Sequence, residues 1–148
     1  MANYRRLFLS GYSYCITMVT HRRNPLLIEH IELLRESFRE SKRYYRYRID
    51  AIVVLPDHIH MVITPEHVEE YPRIIKAIKY NFSRQINVAE EQSRSRQHRK
   101  MKPIWQKRYY EHTIRDEKDY HRCIEYIQHN PLKHRHIENG EVWRYMSV

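Results

Sequence analysis

The sequence predicts an α+β fold, an antiparallel sheet with helices packed against it, and three observations carry that prediction. Residues 12–20, Tyr-Ser-Tyr-Cys-Ile-Thr-Met-Val-Thr, are aromatic and β-branched in the manner of a strand. Two apolar runs, 49–55 and 58–64, are separated only by Pro56-Asp57, the pattern of a β-hairpin with a tight turn. Three other stretches repeat apolar residues at helical spacing, with strand-like runs between them.

In chain order, Asn24-Pro25 ends the first strand. From about Leu26 to Tyr45, the residues Leu27, Ile31, Leu34 and Phe38 form an apolar stripe with Arg, Glu and Lys between them, which predicts a helix. The hairpin follows, and Pro65 closes it. Tyr71 to about Asn87 is a second amphipathic helix, carried by Ile74, Ile75, Ile78, Phe82 and Ile86. Residues 88–103 lack apolar periodicity and hold Arg94, Arg96, Arg99, Lys100 and Lys102, which predicts a flexible basic loop. Ile104 to Ile114 reads as a fourth strand. Asp116 is placed to cap a third helix, with Glu117 and Asp119 in its first turn, and Pro131 is expected to stop that helix at His129 or Asn130. Residues 132–148 read as a basic tail. The order β-α-β-β-α-β-α predicts a ferredoxin-like split β-α-β fold, with helices packed on one face of the sheet and the other face free to bind. The whole chain, 1–148, is expected to be one domain.

Composition narrows the function. The chain has 148 residues, 41% of them hydrophobic, enough to build a core. Lys and Arg number 27 against 18 Asp and Glu, a net charge of +9 that points to a polyanionic partner, nucleic acid first. The longest clean apolar run, 51–55, is far too short to span a membrane, and the N-terminus lacks the apolar stretch of a signal peptide. The two cysteines, Cys15 and Cys123, cannot build a disulfide scaffold or a four-thiolate zinc site, and both are expected to be buried small side chains. These features predict a cytoplasmic, reduced protein. Gly11 and Gly140 are the only glycines, which excludes a glycine-rich phosphate loop of the nucleotide-binding kinds.

Three constellations could carry chemistry. His58-Ile59-His60 places two imidazoles on one face of a strand, where together they can grip a divalent metal. The bare pattern is weak, since His134-Arg135-His136 repeats it near the C-terminus. Its context in an otherwise apolar strand strengthens it, because polar side chains near a core are costly without partners. In the third helix, Tyr120, Cys123, Ile124 and Ile127 make the apolar stripe, and Tyr126 falls about 110° from its centre with Asn130 on nearly the same side. A tyrosine hydroxyl beside a metal can be a nucleophile toward phosphate, and an asparagine carbonyl can complete the metal shell; the plainer reading is a tyrosine edging the core. Third, basic and aromatic residues interleave at Arg43–Arg48, which includes Arg46 and Arg48, and at Lys107-Arg108-Tyr109-Tyr110. That texture suits single-stranded or distorted nucleic acid, and equally a solvated helix end and an edge strand.

These residues, in this order, resemble a known family. Val54-Leu55-Pro56-Asp57-His58-Ile59-His60-Met61-Val62 is similar to the His-hydrophobic-His (HUH) motif of single-tyrosine transposases. The stretch from Ile104 to Asp116 resembles the block before the catalytic helix of REP-associated tyrosine transposases, and Tyr126-Ile127-Gln128-His129-Asn130-Pro131-Leu132-Lys133-His134 resembles their Tyr-Ile-x-x-Asn-Pro signature. Tyr4-Arg5-Arg6 fits as well, so the resemblance covers roughly residues 4–134. It implies an enzyme that cuts and rejoins single-stranded DNA at or beside a hairpin. Tyr126 would be the nucleophile, forming a 5′-phosphotyrosine, and His58, His60 and Asn130 would hold Mg²⁺ or Mn²⁺. Contacts to nucleic acid are expected at Arg5, Arg6, Arg46, Arg48, Lys107, Arg108, Tyr109, His112 and Arg115. The chain departs from the family pattern at Arg135, where a small residue is common.

Two other functions fit parts of the sequence. A non-catalytic single-stranded nucleic-acid-binding module on an open sheet would explain the charge and the aromatic residues, without metal or covalent chemistry. A metal-dependent hydrolase of small phosphate esters would use the histidines alone. With no unexplained apolar stripe, a monomer or loose homodimer is expected.

Overall fold

Strand β1 (Tyr14–Val19) is the hub of a five-stranded antiparallel sheet, and its alternation decides what each face of the molecule does. The computed structural model describes residues 12–91, 103–138 and 140–148. Tyr4, Arg5 and Arg6, and residues 92–102 of the expected basic loop, lie outside the described residues. The elements run β1, α1 (Ile31–Ser41), β2 (Tyr47–Val54), β3 (His58–Pro65), α2 (Tyr71–Glu91), β4 (Tyr110–Thr113), α3 (Glu117–Lys133) and β5 (Met146–Ser147). The sheet order β4-β1-β3-β2-β5 contains the 4-1-3-2 arrangement of two interleaved split β-α-β units, as the sequence predicts.

Both faces of the sheet are covered. Tyr14, Ile16 and Met18 of β1 and Ile59, Met61 and Ile63 of β3 point to one face, where they pack with Leu34 of α1 and Ile74, Ile78 and Phe82 of α2. Cys15, Val62, Ala51 and Val53 point to the other, where they meet Cys123 and Ile127 of α3. The expectation of helices on one face therefore holds for α1 and α2. The third helix lies on the opposite face, which is not open. A bulge in β2 between Ile49 and Ala51 helps to seat it. There the Asp50 carboxylate accepts hydrogen bonds from Arg48 Nε at 2.5 Å, Thr64 Oγ1 at 3.0 Å and the Tyr120 hydroxyl of α3 at 3.1 Å.

Helix α1 stops at Ser41 rather than Tyr45, and α2 runs on to Glu91, so residues 88–91 of the expected basic loop are helical. Four further element boundaries differ from the sequence reading, each for a local reason. Residues 27–30 form turns rather than the start of α1; Leu27 keeps its place in the apolar pattern because it is fully buried from the turn. Only 110–113 of the expected strand 104–114 pairs with β1, while Trp105 makes a single bridge to Thr20. The chain from 132 onward is more than a tail. Trp143 Nε1 donates to the Val54 carbonyl at 2.8 Å, and β5 pairs with β2 and covers its outer edge.

The fourth difference is that α3 continues through Pro131 to Lys133. It ends in a Schellman motif, with His136 N–H donating to the Pro131 carbonyl and Arg135 N–H to that of Leu132. Arg135 takes the left-handed position at φ 58°, where glycine is usual. At the other end, the Asp116 carboxylate accepts from Asp119 N–H at 2.7 Å, the cap that the sequence predicts.

Candidate active site

The β2–β3 turn ends at Asp57, and β3 begins with His58, so both histidines lie at the end of the sheet where α3 crosses. Register and chain adjacency then orient the two rings. Thr17 is the cross-strand partner of His60, and its hydroxyl lies 2.8 Å from His60 Nδ1. The Asp57 carboxylate lies 2.6 Å from His58 Nδ1. An ionised carboxylate only accepts, so the Nδ1–H of His58 donates to Asp57, which leaves Nε2 as the nitrogen that could take a ligand. Burial pushes Asp57 up, but the hydrogen bonds and charges of His58 and Arg23 outweigh it and hold the carboxyl below its usual range.

Both imidazoles are 5% exposed and their ring centroids are 4.8 Å apart. Burial, helped by His58, His134 and Lys133, pulls the His60 pKa down to about 3, so this ring stays neutral at any physiological pH. Tyr126 projects from α3 to the same place. Its ring centroid is 5.1 Å from that of His60, it is 43% exposed, and Lys133 Nζ sits 5.2 Å above its ring. The off-stripe angle of Tyr126 is thus realised as a side chain on the wall of an open cleft of about 700 Å³.

Asn130, one turn beyond Tyr126, is fully buried, and neither its Oδ1 nor its Nδ2 has a hydrogen-bond partner among the described residues. An orphaned buried amide costs about 1–3 kcal/mol, a cost that a bound cation or water would remove. Two imidazole nitrogens and an amide oxygen are neutral donors. They suit a divalent ion that takes its remaining ligands from phosphate and water. A second group of donors lines the same cleft on the α3 side. The Nε2 of His112, a carboxylate oxygen of Asp119 and the sulfur of Cys123 lie within 4.8 Å of one another, a group that could also hold a metal ion.

The expected nucleic-acid contacts scatter. Arg46 and Arg48 lie at the far end of the β2–β3 hairpin, opposite Thr64 and Pro65, where Arg48 is engaged by Asp50. Lys107 and Arg108 are exposed before β4, Tyr109 lies under Lys79, and Arg115 is exposed before α3. His112 is held by Asp119 at 2.8 Å. The cations on the cleft wall are Arg23, Arg122 and Lys133, none of which was among the contacts expected from the sequence. Arg22 and Arg23 both adopt left-handed backbone, at φ 54° and 52°, and Arg23 bonds Asp57 at 3.2 Å. Strain of this kind is characteristically stored at functional sites. His134 was also missed; its ring lies 5.1 Å from that of His58. The available signal was the second His-x-His, His134-Arg135-His136.

Comparison with known proteins bears on the whole chain. The family model for IS200-like transposases matches residues 8–130. A REP-associated tyrosine transposase of Escherichia coli K12 is 32% identical over 99% of this chain and 82% of its own. A Haemophilus influenzae chain assigned to the same group is 36% identical over 99% of this chain and 85% of its own. The solved structure of a REP-associated tyrosine transposase bound to a REP hairpin superposes with a TM-score of 0.74 at 30% identity, covering 92% of this chain and 76% of that one. No described helix is long and apolar enough to cross a membrane.

Proposed function

The chain belongs to the IS200-like transposase family, whose REP-associated tyrosine members it matches along its length, and on that premise we propose that it is a metal-dependent single-stranded DNA endonuclease and strand transferase. Its substrate would be hairpin-bearing DNA, as the hairpin bound by its structural relative suggests. The observation that carries the mechanism is Tyr126 beside two oriented, buried histidines in an open cleft.

In this reading the Tyr126 oxygen attacks the scissile phosphorus as the phenol proton leaves to water. The new bond joins tyrosine to the 5′ side of the break. The phosphorus–O3′ bond breaks, and O3′ takes up a proton to become a free 3′-hydroxyl. Attack by a 3′-hydroxyl reverses the step, so ends rejoin without ATP. His58, His60 and Asn130 would hold Mg²⁺ or Mn²⁺. When bound, the ion would polarise the phosphate and offset charge developing on its oxygens. Asp57 and Thr17 hold the imidazoles in register for it. Arg23, Arg122 and Lys133 supply positive charge along the cleft where the DNA backbone would run. The competing binding-module function needs an open sheet face for stacking bases, and α3 covers that face.

Covalent trapping tests the proposal. With end-labelled hairpin DNA and Mn²⁺, the wild-type chain should give an adduct that survives a denaturing gel and disappears with chelator. Tyr126→Phe should bind the same DNA and give no adduct. An adduct of undiminished yield in Tyr126→Phe would remove the nucleophile assignment.

A further inference from the structure

The cleft holds a second set of donors that the tyrosine chemistry leaves unused, brought together by three separate elements, β1, β4 and α3. Across the β1–β4 ladder, Cys15 is paired with His112, so the two side chains are neighbours on the α3 face. On α3, Asp119 and Cys123 are four residues apart and share one side of the helix. All four line the cleft. Asp119 grips His112 Nε2 at 2.8 Å and accepts Arg115 N–H at 3.0 Å. Cys15 and Cys123 belong to one buried cluster between the sheet and α3.

We propose that Cys15, His112, Asp119 and Cys123 bind a thiophilic divalent cation, Zn²⁺ by its chemistry, which clamps the start of α3 to strands β1 and β4. The site is distinct from the His58–His60 site in place and in character. Two sulfurs, an imidazole nitrogen and a carboxylate oxygen are the donors of a closed tetrahedral zinc site, and Mg²⁺ has no use for thiolates. For three of the four donors the spacing is already close to what is needed, and an arriving ion would draw in the Cys15 thiol as the fourth. Ligand atoms around tetrahedral zinc are about 3.3–3.8 Å apart, given bonds of about 2.0–2.3 Å. The His112, Asp119 and Cys123 ligand atoms already lie within 4.8 Å of one another before any ion draws them in. Thiols ligate as thiolates, so binding would release protons and tighten as pH rises. Asp119 lies about two helical turns before Tyr126, so an occupied site would fix the helix that presents the tyrosine.

The test is a Co²⁺ titration of the reduced, metal-free full-length chain. One equivalent should produce the visible absorption of a tetrahedral site together with near-ultraviolet thiolate-to-cobalt charge transfer, and Zn²⁺ should bleach both. The His58→Ala/His60→Ala double variant should give the same spectrum. Cys123→Ser should lose most of the charge-transfer band and bind Co²⁺ more than about 10-fold more weakly. Should that variant not fold, His112→Gln keeps both thiols and should show the weakening. In the unmodified chain, Zn²⁺ should also slow alkylation of the cysteines at least about 10-fold. Absence of the charge-transfer band in the wild type overturns the proposal. So does its loss in the double histidine variant, or its persistence at full strength and affinity in Cys123→Ser or His112→Gln. None of these readouts depends on DNA cleavage, so the outcome is separable from the transposase reading.

Discussion

Strand β3 shows two opposite designs on its two faces. Ile59, Met61 and Ile63 point into an apolar core completed by α1 and α2. His58 and His60, one residue out of phase, point to the α3 face among Thr17, Tyr126, Lys133 and His134. One face is built to be filled. The other is built to hold polar groups in fixed directions at the edge of water, with Asn130 left unsatisfied behind them. The difference separates the work of the strand: the apolar face supplies stability, and the polar face uses some of it to keep two imidazoles aligned. Mutations on the two faces should therefore change different observables.

The largest effect should come from the filled face. Phe82 is fully buried, with its ring centroid 5.5 Å from that of Trp105. Phe82→Ala should lower the unfolding free energy by about 3–5 kcal/mol, read from a urea or thermal melt. At temperatures where the variant stays folded, adduct formation per folded molecule should match wild type. A selective loss of adduct at unchanged stability would break the division between the faces.

On the polar face, Thr17→Val removes the hydroxyl that holds His60 Nδ1 and keeps the side-chain shape. Partners of this kind typically change metal affinity by about 10–100-fold. The Mn²⁺ concentration for half-maximal adduct should rise by that factor, with stability changed far less than in Phe82→Ala. An unchanged Mn²⁺ midpoint would mean that the histidines do not hold the ion through this alignment.

The two faces were not equally readable in the sequence. The filled one follows from alternation and 3.6-residue spacing, which gave β1, the hairpin, α2 and their order. Of the polar face, His58 and His60 stood out as ionisable groups in an apolar strand, while the roles expected of Tyr126 and Asn130 came from the family resemblance. The partners did not stand out. Thr17 meets His60 only through the β1–β3 register, which no local pattern encodes. Arg23, Arg122 and Lys133 are three cations among 27, and only the folded cleft distinguishes them from the rest. The side of the sheet taken by α3 was also hidden, since an amphipathic helix has an apolar stripe whichever face it covers. Pro131 misled because a proline within the last helical turn forfeits only one backbone bond, and the Schellman motif supplies bonds just beyond it.

Acid should sharpen the comparison by acting on the polar face. His60 is held neutral down to about pH 3, whereas in the unfolded chain it binds a proton below about pH 6.5. Between those values the unfolded state carries more protons, so stability falls as pH falls, by at most about 1.4 kcal/mol per pH unit from this group. The slope should start below about pH 6.5. His60→Asn should flatten it, as measured by urea melts from pH 7 to pH 4, and an equal slope in the variant would assign the acid sensitivity elsewhere.

The smallest effect is expected where the chain departs from its family pattern. Arg135 holds the left-handed position that ends α3, and a side chain there costs about 1–2 kcal/mol relative to right-handed backbone. Arg135→Gly should relieve part of that cost and raise stability by about 1 kcal/mol, against the greater freedom of glycine in the unfolded chain. The same turn carries His134, whose N–H donates to the Asn130 carbonyl and whose ring lies against His58. If the turn serves only to end the helix, the glycine variant should melt higher and form adduct as before. Should it melt higher and form less adduct, Arg135 would be contributing its charge to the DNA path beside the cleft, and the strained position would belong to the polar face after all.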